Sequence, residues 1–217
     1  LGDAALYCDF GNEVNKTTNT QVIKYFQSIK KENIEGINNL TPSYNKLIIS
    51  FDLKKTNYIN LKKKIENLNI DIKDSYKNKE IEIPVCNDQN FSLDIKRLEK
   101  RLKLSVEKIY ENFYNKKFFC YMTGFIAGMP FLGDLDKNMR AERLETPRVK
   151  VPKGSVGLTE QFANIYTFES PGGWNIIGNT PVNIFDSSNE KNPSLINPGD
   201  TVIFKRITID QYKNFNE

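Results

Sequence analysis

Three cations, Arg143, Arg148 and Lys153, stand around a segment punctuated by Pro147 and Pro152. A solvated helix face does not account for cations in such a stretch. Guanidinium forks grip carboxylate or phosphate with two parallel hydrogen bonds, and an ammonium adds a point charge. The segment is therefore a candidate anion site, with plain surface ion pairing as the competing reading. Gly124, Gly128, Gly172 and Gly173 lack a Cβ and let a ligand or a partner backbone come close. N–H groups bared there can hold a carboxylate, a phosphate or a developing oxyanion. Tight turns in a β-rich domain need the same glycines. Trp174 is the single tryptophan and follows a Pro-Gly-Gly turn. It serves either as core packing or as a pocket wall. Tyr166 either donates a phenolic proton or packs on a strand.

The chain contains no histidine. That excludes a Ser-His-Asp triad, a Cys-His dyad and any His-ligated metal within it. Acid–base work falls to Asp, Glu, Lys, Tyr or Cys, or to residues of a partner, and no catalytic residue can be singled out. Cys8, Cys86 and Cys120 lie far apart without a CxxC, so no zinc ribbon, thioredoxin motif or other metal site is expected. Scattered, odd-numbered cysteines suit a reducing compartment. Leu1-Gly2-Asp3 does not read as a signal peptide, and a cytoplasmic location is expected.

The elements that position these residues can be read from 217 residues with 39% hydrophobic content and a net charge of +4. That length and apolar content support a folded core rather than disorder. No apolar run approaches the roughly 20 residues of a membrane-spanning helix. The mild charge lacks the dense basic patch of a nucleic-acid binder. Up to Val85 the pattern alternates. Ala4–Phe10 reads as a strand. Thr18 and Gln21 form a capping box for a helix through Val22, Phe26 and Ile29, with Gly36 as its stop. Strands follow at Ile37–Leu40 and Leu47–Phe51, then a helix through Tyr58, Leu61, Ile65 and Leu68, and a last strand at Glu80–Val85. The order β-α-β-β-α-β is the ferredoxin-like arrangement.

Residues 86–114 read as two helices capped by Ser92 and Ser105, with a charged, solvated outer face. From Lys116 the texture becomes all-β. Phe118–Met122, Val149–Val151, Ser155–Leu158, Ile165–Phe168, Trp174–Ile177 and Thr201–Ile207 are candidate strands, separated by Gly and Pro turns. Asn197-Pro198-Gly199-Asp200 is a β-turn before the last of them.

Six motifs recur in a telling order between residues 124 and 200. They are Gly124-Phe125-Ile126-Ala127-Gly128-Met129-Pro130-Phe131-Leu132-Gly133, Thr146-Pro147-Arg148, Val151-Pro152-Lys153-Gly154-Ser155-Val156, Ser170-Pro171-Gly172-Gly173-Trp174, Ile177-Gly178-Asn179-Thr180-Pro181 and Asn197-Pro198-Gly199-Asp200. Together they resemble the family of KipI, allophanate hydrolase subunit 1 and the B subunit of 5-oxoprolinase. Ile81-Glu82-Ile83-Pro84-Val85, Thr41-Pro42-Ser43-Tyr44 and Leu1-Gly2-Asp3-Ala4-Ala5-Leu6 extend the resemblance over nearly the whole chain.

The resemblance implies an α+β ferredoxin-like domain over residues 1–86, a helical connector over 87–115 and an all-β cyclophilin-like barrel over 116–217. It implies a non-autonomous subunit of a hetero-oligomeric hydrolase that opens 5-oxoproline to glutamate with ATP. Relatives form half of the carboxyltransferase part of urea carboxylase, and another inhibits a histidine kinase. Expected partners are thus other subunits and a small-molecule substrate, or a histidine kinase, with no nucleic acid and no membrane. No cofactor is expected in this chain. The assembled complex would use ATP, and the chain has no GxxxxGK[ST] motif with which to bind it. The expected substrate-binding set is Gly124, Phe125, Gly128, Arg143, Arg148, Lys153, Tyr166, Gly172, Gly173, Trp174 and Thr180.

Several polar positions depart from the family pattern. Phe113 stands where a histidine is usual, Asn179 where an arginine is usual, and Glu142 where a proline is usual. Ala127-Gly128-Met129 replaces Pro-Gly-Phe, and Phe162-Ala163-Asn164 replaces Gln-Thr-Gly. The turn framework stays while pocket-type groups change, so a divergent paralogue is expected, with either a different substrate or a structural role in a complex.

Overall fold

A computed structural model describes residues 2–68 and 78–215. Leu1, which opens the N-terminal motif, lies outside the described residues. The chain folds as two units, Leu1–Lys77 and Asn78–Glu217.

The first unit runs β1 (Ala5–Asp9), α1 (Lys16–Glu32), β2 (Ile37–Pro42), β3 (Lys46–Phe51) and α2 (Tyr58–Glu66). The strands form an antiparallel sheet in the order β1-β3-β2. Alternation along β3 sends Leu47, Ile49 and Phe51 inward, where they meet Val22 and Ile29 of α1 and Leu61 and Ile65 of α2. Pro42 is tolerated because it ends an edge strand. Helix α1 begins before the predicted capping box. Asn15 is the cap, its Oδ1 accepting from Thr18 N at 2.9 Å, so Thr18 lies within the first turn. Asn caps as well as Thr and comes first in the chain.

The strand expected to complete the ferredoxin-like order belongs elsewhere. Residues Glu80–Cys86 form β4 of the second unit, so among the described residues the first sheet has three strands. The physical reason is pairing length. β4 runs parallel to β12 (Thr201–Ile207) from Glu80↔Thr201 to Cys86↔Ile207, and it buries Ile83 and Val85. The division between units therefore falls before this strand, not after residue 86.

The second unit continues with α3 (Ile95–Leu102), α4 (Val106–Tyr114), β5 (Lys117–Thr123), β6 (Pro130–Gly133), β7 (Arg148–Val151), β8 (Ser155–Thr159), β9 (Phe162–Ile165), β10 (Ser170–Gly172) and β11 (Asn175–Asn179). After β12 comes α5 (Ile209–Lys213). Seven strands close a mixed barrel in the order β11-β4-β12-β5-β6-β9-β8, while β7 and β10 pair as a separate ribbon. Helices α3 and α4 do more than connect. Leu98, Ile109 and Phe113 share one core with Val85, Phe118, Leu158 and Phe204. Phe113, at the place where the resemblance puts a histidine, is fully buried and stacks on Phe204 at 4.7 Å.

Ser105 caps α4 as expected, accepting from Lys108 N at 3.2 Å. Ser92 does not cap α3. Its buried hydroxyl faces the carbonyls of Asn87 and Ile177, at 2.9 and 3.0 Å. Asp94 takes the cap position without a capping bond, because its carboxylate is engaged elsewhere. The strand expected at Ile165–Phe168 lies earlier, at Phe162–Ile165, in register with β6 and β8. The turn at residues 197–200 forms as expected, with Asp200 N donating to Asn197 O at 3.0 Å.

Candidate functional site

The β7–β10 ribbon sets Arg148 opposite Gly172, with a register shift between Ser170 and Gly172. Arg148 Nη2 donates to Asp94 Oδ1 at 2.6 Å, and Asp94 Oδ2 accepts from Ile176 N at 2.7 Å. Asp94 N in turn donates to Ile176 O at 2.9 Å. The carboxylate side chain is only 6% exposed and the guanidinium 28%. A charge this deeply placed is tolerated when it is paired and its remaining lone pairs are used, and both conditions hold for Asp94. The result is a guanidinium anchored through Nη2, with Nη1 buried and unpaired.

Tyr166 lies next to it, 1% exposed. Burial pushes its phenol up, against the lowering influence of the Asn164 side chain, the Trp174 backbone and the Arg148 charge. The phenol is thus held protonated, as a hydrogen-bond donor. Gly172 is required here, since a Cβ would stand 2.0 Å from the Tyr166 hydroxyl oxygen. Gly157 does the same for Asn164, whose Oδ1 would be 2.6 Å from an added Cβ, with Trp174 Cβ at 3.0 Å. The Trp174 ring meets Phe131 edge-on at 5.6 Å. Met129, Val151 and Ile176 pack with Tyr166 as an apolar backing.

The other predicted residues fall in different places. Thr180 is buried, its N donating to Gly154 O at 2.9 Å and its Oγ1 accepting from Val182 N at 3.2 Å. With Lys153, Tyr212 and Lys213 it lines a cavity of about 380 Å³. Asn179, at the position where the resemblance puts arginine, ties this region together. Its Nδ2 donates to Lys153 O at 2.9 Å and its Oδ1 accepts from Tyr212 at 2.7 Å. Gly124 and Gly128 shape the β5–β6 turn, in which Gly124 N donates to Met129 O at 3.0 Å. Gly128 has φ +70°, and a Cβ there would come within 2.4 Å of the Phe185 ring. Phe125, at the tip, is 72% exposed. Arg143 is exposed and has no hydrogen bond or ion pair among the described residues. Gly173 is buried and accepts from Leu144 N at 2.7 Å.

The structure thus brings Arg148, Tyr166, Gly172 and Trp174 together, packs Ile126 of the 124–128 turn against the Tyr166 cluster, and sets Lys153 with Thr180 at the neighbouring cavity. Asp94 and Asn164 complete the recess, and neither stands in the predicted set. Asn164 did carry a signal, a carboxamide in an otherwise apolar strand. Asp94 carried none that distinguished it from the surrounding acids and bases. No group able to hold a metal ion occurs among the described residues, and none of their helices is long and apolar enough to cross a membrane. Arg148 and Tyr166 thus set a paired guanidinium beside a protonated phenol in the barrel unit.

Comparison with known proteins gives four findings. The family model described as carboxyltransferase domain, subdomain C and D, matches residues 1–196. The 5-oxoprolinase B subunit of Bacillus subtilis (strain 168) is 31% identical over 229 residues, covering 100% of this chain and 95% of that protein. The protein of the same name from Haemophilus influenzae is 32% identical over 210 residues, covering 94% of each. Among solved structures, that of TTHA0988 superposes with a TM-score of 0.84 at 28% identity. It covers 94% of this chain, which in turn spans only 40% of that longer one.

Proposed function

Since the chain belongs to the carboxyltransferase domain family, subdomains C and D, we propose that it is a non-autonomous subunit of a 5-oxoprolinase-type complex. In this reading the complex opens 5-oxoproline to glutamate with ATP, and this chain binds the substrate. The observation that carries the reading is whole-length similarity to two proteins named as the B subunit of 5-oxoprolinase. The recess supports it. A lactam bearing a carboxylate needs a fixed cation and a neutral donor to its carbonyl, and Arg148 with Tyr166 supplies both.

The rest of the chemistry belongs to other subunits. The chain has no imidazole, and the phenol in the recess is pushed away from neutral pH, so neither serves as an acid–base group at pH 7. The barrel is read as cyclophilin-like, and the complex as working in the cytoplasm. The test is reconstitution with the co-purifying subunits. Glutamate formation from 5-oxoproline and ATP is expected only when this chain and its partners are combined. Turnover by the purified chain alone would overturn the reading, as would a partner set that forms glutamate equally well without it.

A further inference from the structure

A cavity of about 380 Å³ in the barrel unit collects charge of one sign. Lys153 and Lys213 line it with Thr180, Asn183 and Tyr212, and none of its described lining residues is acidic. A volume of this size suits a small molecule. Lys116, Lys117, Lys150 and Lys205 of the same unit each pair with a carboxylate. The ammoniums of Lys153 and Lys213 have no hydrogen bond or ion pair among the described residues. Asp186 feels the Lys153 charge, but its Oδ1 already accepts from Ser188 N at 2.9 Å and from Ser188 Oγ at 2.6 Å. The walls are fixed. Asn179 Nδ2 donates to Lys153 O and its Oδ1 accepts from the Tyr212 hydroxyl, so one buried side chain ties both lysine-bearing segments. Gly154 has φ +81°, and a Cβ there would stand 2.4 Å from Thr180 O.

Two like charges held at one cavity repel, and a bound anion relieves that repulsion. The donors indicate which anion. A guanidinium fork matches a planar carboxylate, whereas ammoniums act as point charges and suit a tetrahedral phosphate approached from two sides. A carboxylate balances one lysine, and a phosphate dianion balances both. Thr180 Oγ1 accepts from Val182 N, which leaves its hydroxyl proton to donate. A divalent cation is repelled. We propose that this cavity binds a phosphate group, either free phosphate or the monoester of a small molecule, with Lys153 and Lys213 neutralising it and Thr180 donating to it. Pro181 and Val182 supply an apolar wall for the carbon skeleton of an ester. The assignment does not depend on the 5-oxoprolinase reading.

The experiment is a protein-observed NMR titration of the full chain at constant ionic strength and about pH 8, where phosphate is doubly charged. The probes are inorganic phosphate, glycerol phosphate and acetate. The expected result is saturable shifts of the backbone amides of Lys153, Gly154, Thr180 and Lys213 with both phosphates, and acetate binding at least about tenfold more weakly. Tighter binding of the ester assigns the site to a phosphorylated molecule, and equal or weaker binding assigns it to free phosphate. Lys153→Met and Lys213→Met keep the apolar stems and should each weaken phosphate binding about tenfold. Lys205→Met removes the same charge elsewhere in the unit and should leave binding unchanged. All three lysines are exposed, so the variants keep the fold. No saturable shift, acetate binding as tightly as phosphate, unchanged binding in Lys153→Met and Lys213→Met, or equal loss in all three variants would each overturn the proposal.

Discussion

The two units bury different things. Among the described residues of the first unit, Asn19 is the one buried polar side chain, and the core is Val22, Ile29, Leu47, Ile49, Phe51 and Leu61. The barrel unit buries Asp94, Asn164, Asn175, Asn179, Thr180 and Asp200 beside its apolar core. Most of these are matched by specific partners. Asp200 Oδ1 accepts from Lys79 N at 3.0 Å and its Oδ2 from Asn197 N at 2.9 Å. Asn175 Nδ2 donates to Leu158 O at 3.0 Å. Area removed from water is enough to hold the first unit together. The second needs directional bonds as well, and it leaves Asn112 Nδ2, Arg148 Nη1, Asn164 Oδ1 and Ser170 Oγ buried without a hydrogen-bond partner.

The sharpest way to probe that contrast is to put back the missing histidine. Phe113→His should destabilise the barrel by about 4 kcal/mol in urea unfolding, from lost packing and a buried, unpaired imidazole. It should restore no activity, because position 113 lies in the core, stacked on Phe204. Asp94→Ala should cost about 3 kcal/mol by the same measurement, since it strands the half-buried Arg148 guanidinium.

Gly172→Ala should cost about 2 kcal/mol, because Tyr166 must move away from the new methyl. Gly173→Ala, one residue on, should be nearly neutral, since its Cβ meets nothing closer than 3.6 Å. Equal costs at the two glycines would show that the recess is not the tight feature described.

Smaller effects come from titration. Burial raises the phenols of Tyr110, Tyr114, Tyr121 and Tyr166, all in the barrel unit. The folded form then holds these protons more tightly than the unfolded form. Barrel stability should stay level below the ordinary tyrosine value of about 10 and fall above it. Trp174 fluorescence in urea titrations at pH 9 and pH 11 reports this from within the barrel. The smallest effect belongs to the first unit. Asp9 is held below the ordinary carboxylate range by its bond to Lys46 and by Gly11 N. That contribution is present above the usual Asp value and is lost as pH falls through the lowered one. The pair is exposed and salt-screened, so Lys46→Ala should shift unfolding of the first unit far less than Asp94→Ala shifts the barrel.

Much of this was legible in the residues, for identifiable reasons. The β-branched stretch in Leu47–Phe51 and the apolar Val202–Phe204 within Thr201–Ile207 mark strands close to their observed bounds. Ser105 capped its helix because nothing else competed for its hydroxyl. Ser92 failed because a tertiary partner, Ile177 O, took the hydroxyl instead. Glu80–Cys86 reads correctly as a strand, but its sheet depends on β12, more than a hundred residues away, which local pattern cannot show. The recess followed the same rule. Arg148, Tyr166, Gly172 and Trp174 stand out by residue type, whereas Asp94 matters only through its contact with Arg148 across the fold.

Substrate binding in the barrel recess is the central claim. The direct measurement is the rate of ATP-dependent glutamate formation by the reconstituted complex carrying Arg148→Ala, against the complex carrying Lys46→Ala. With equal assembly of both, the Arg148 variant should be at least about a hundredfold slower, and the Lys46 variant should match the wild type. An Arg148→Ala complex as fast as the wild type would contradict it.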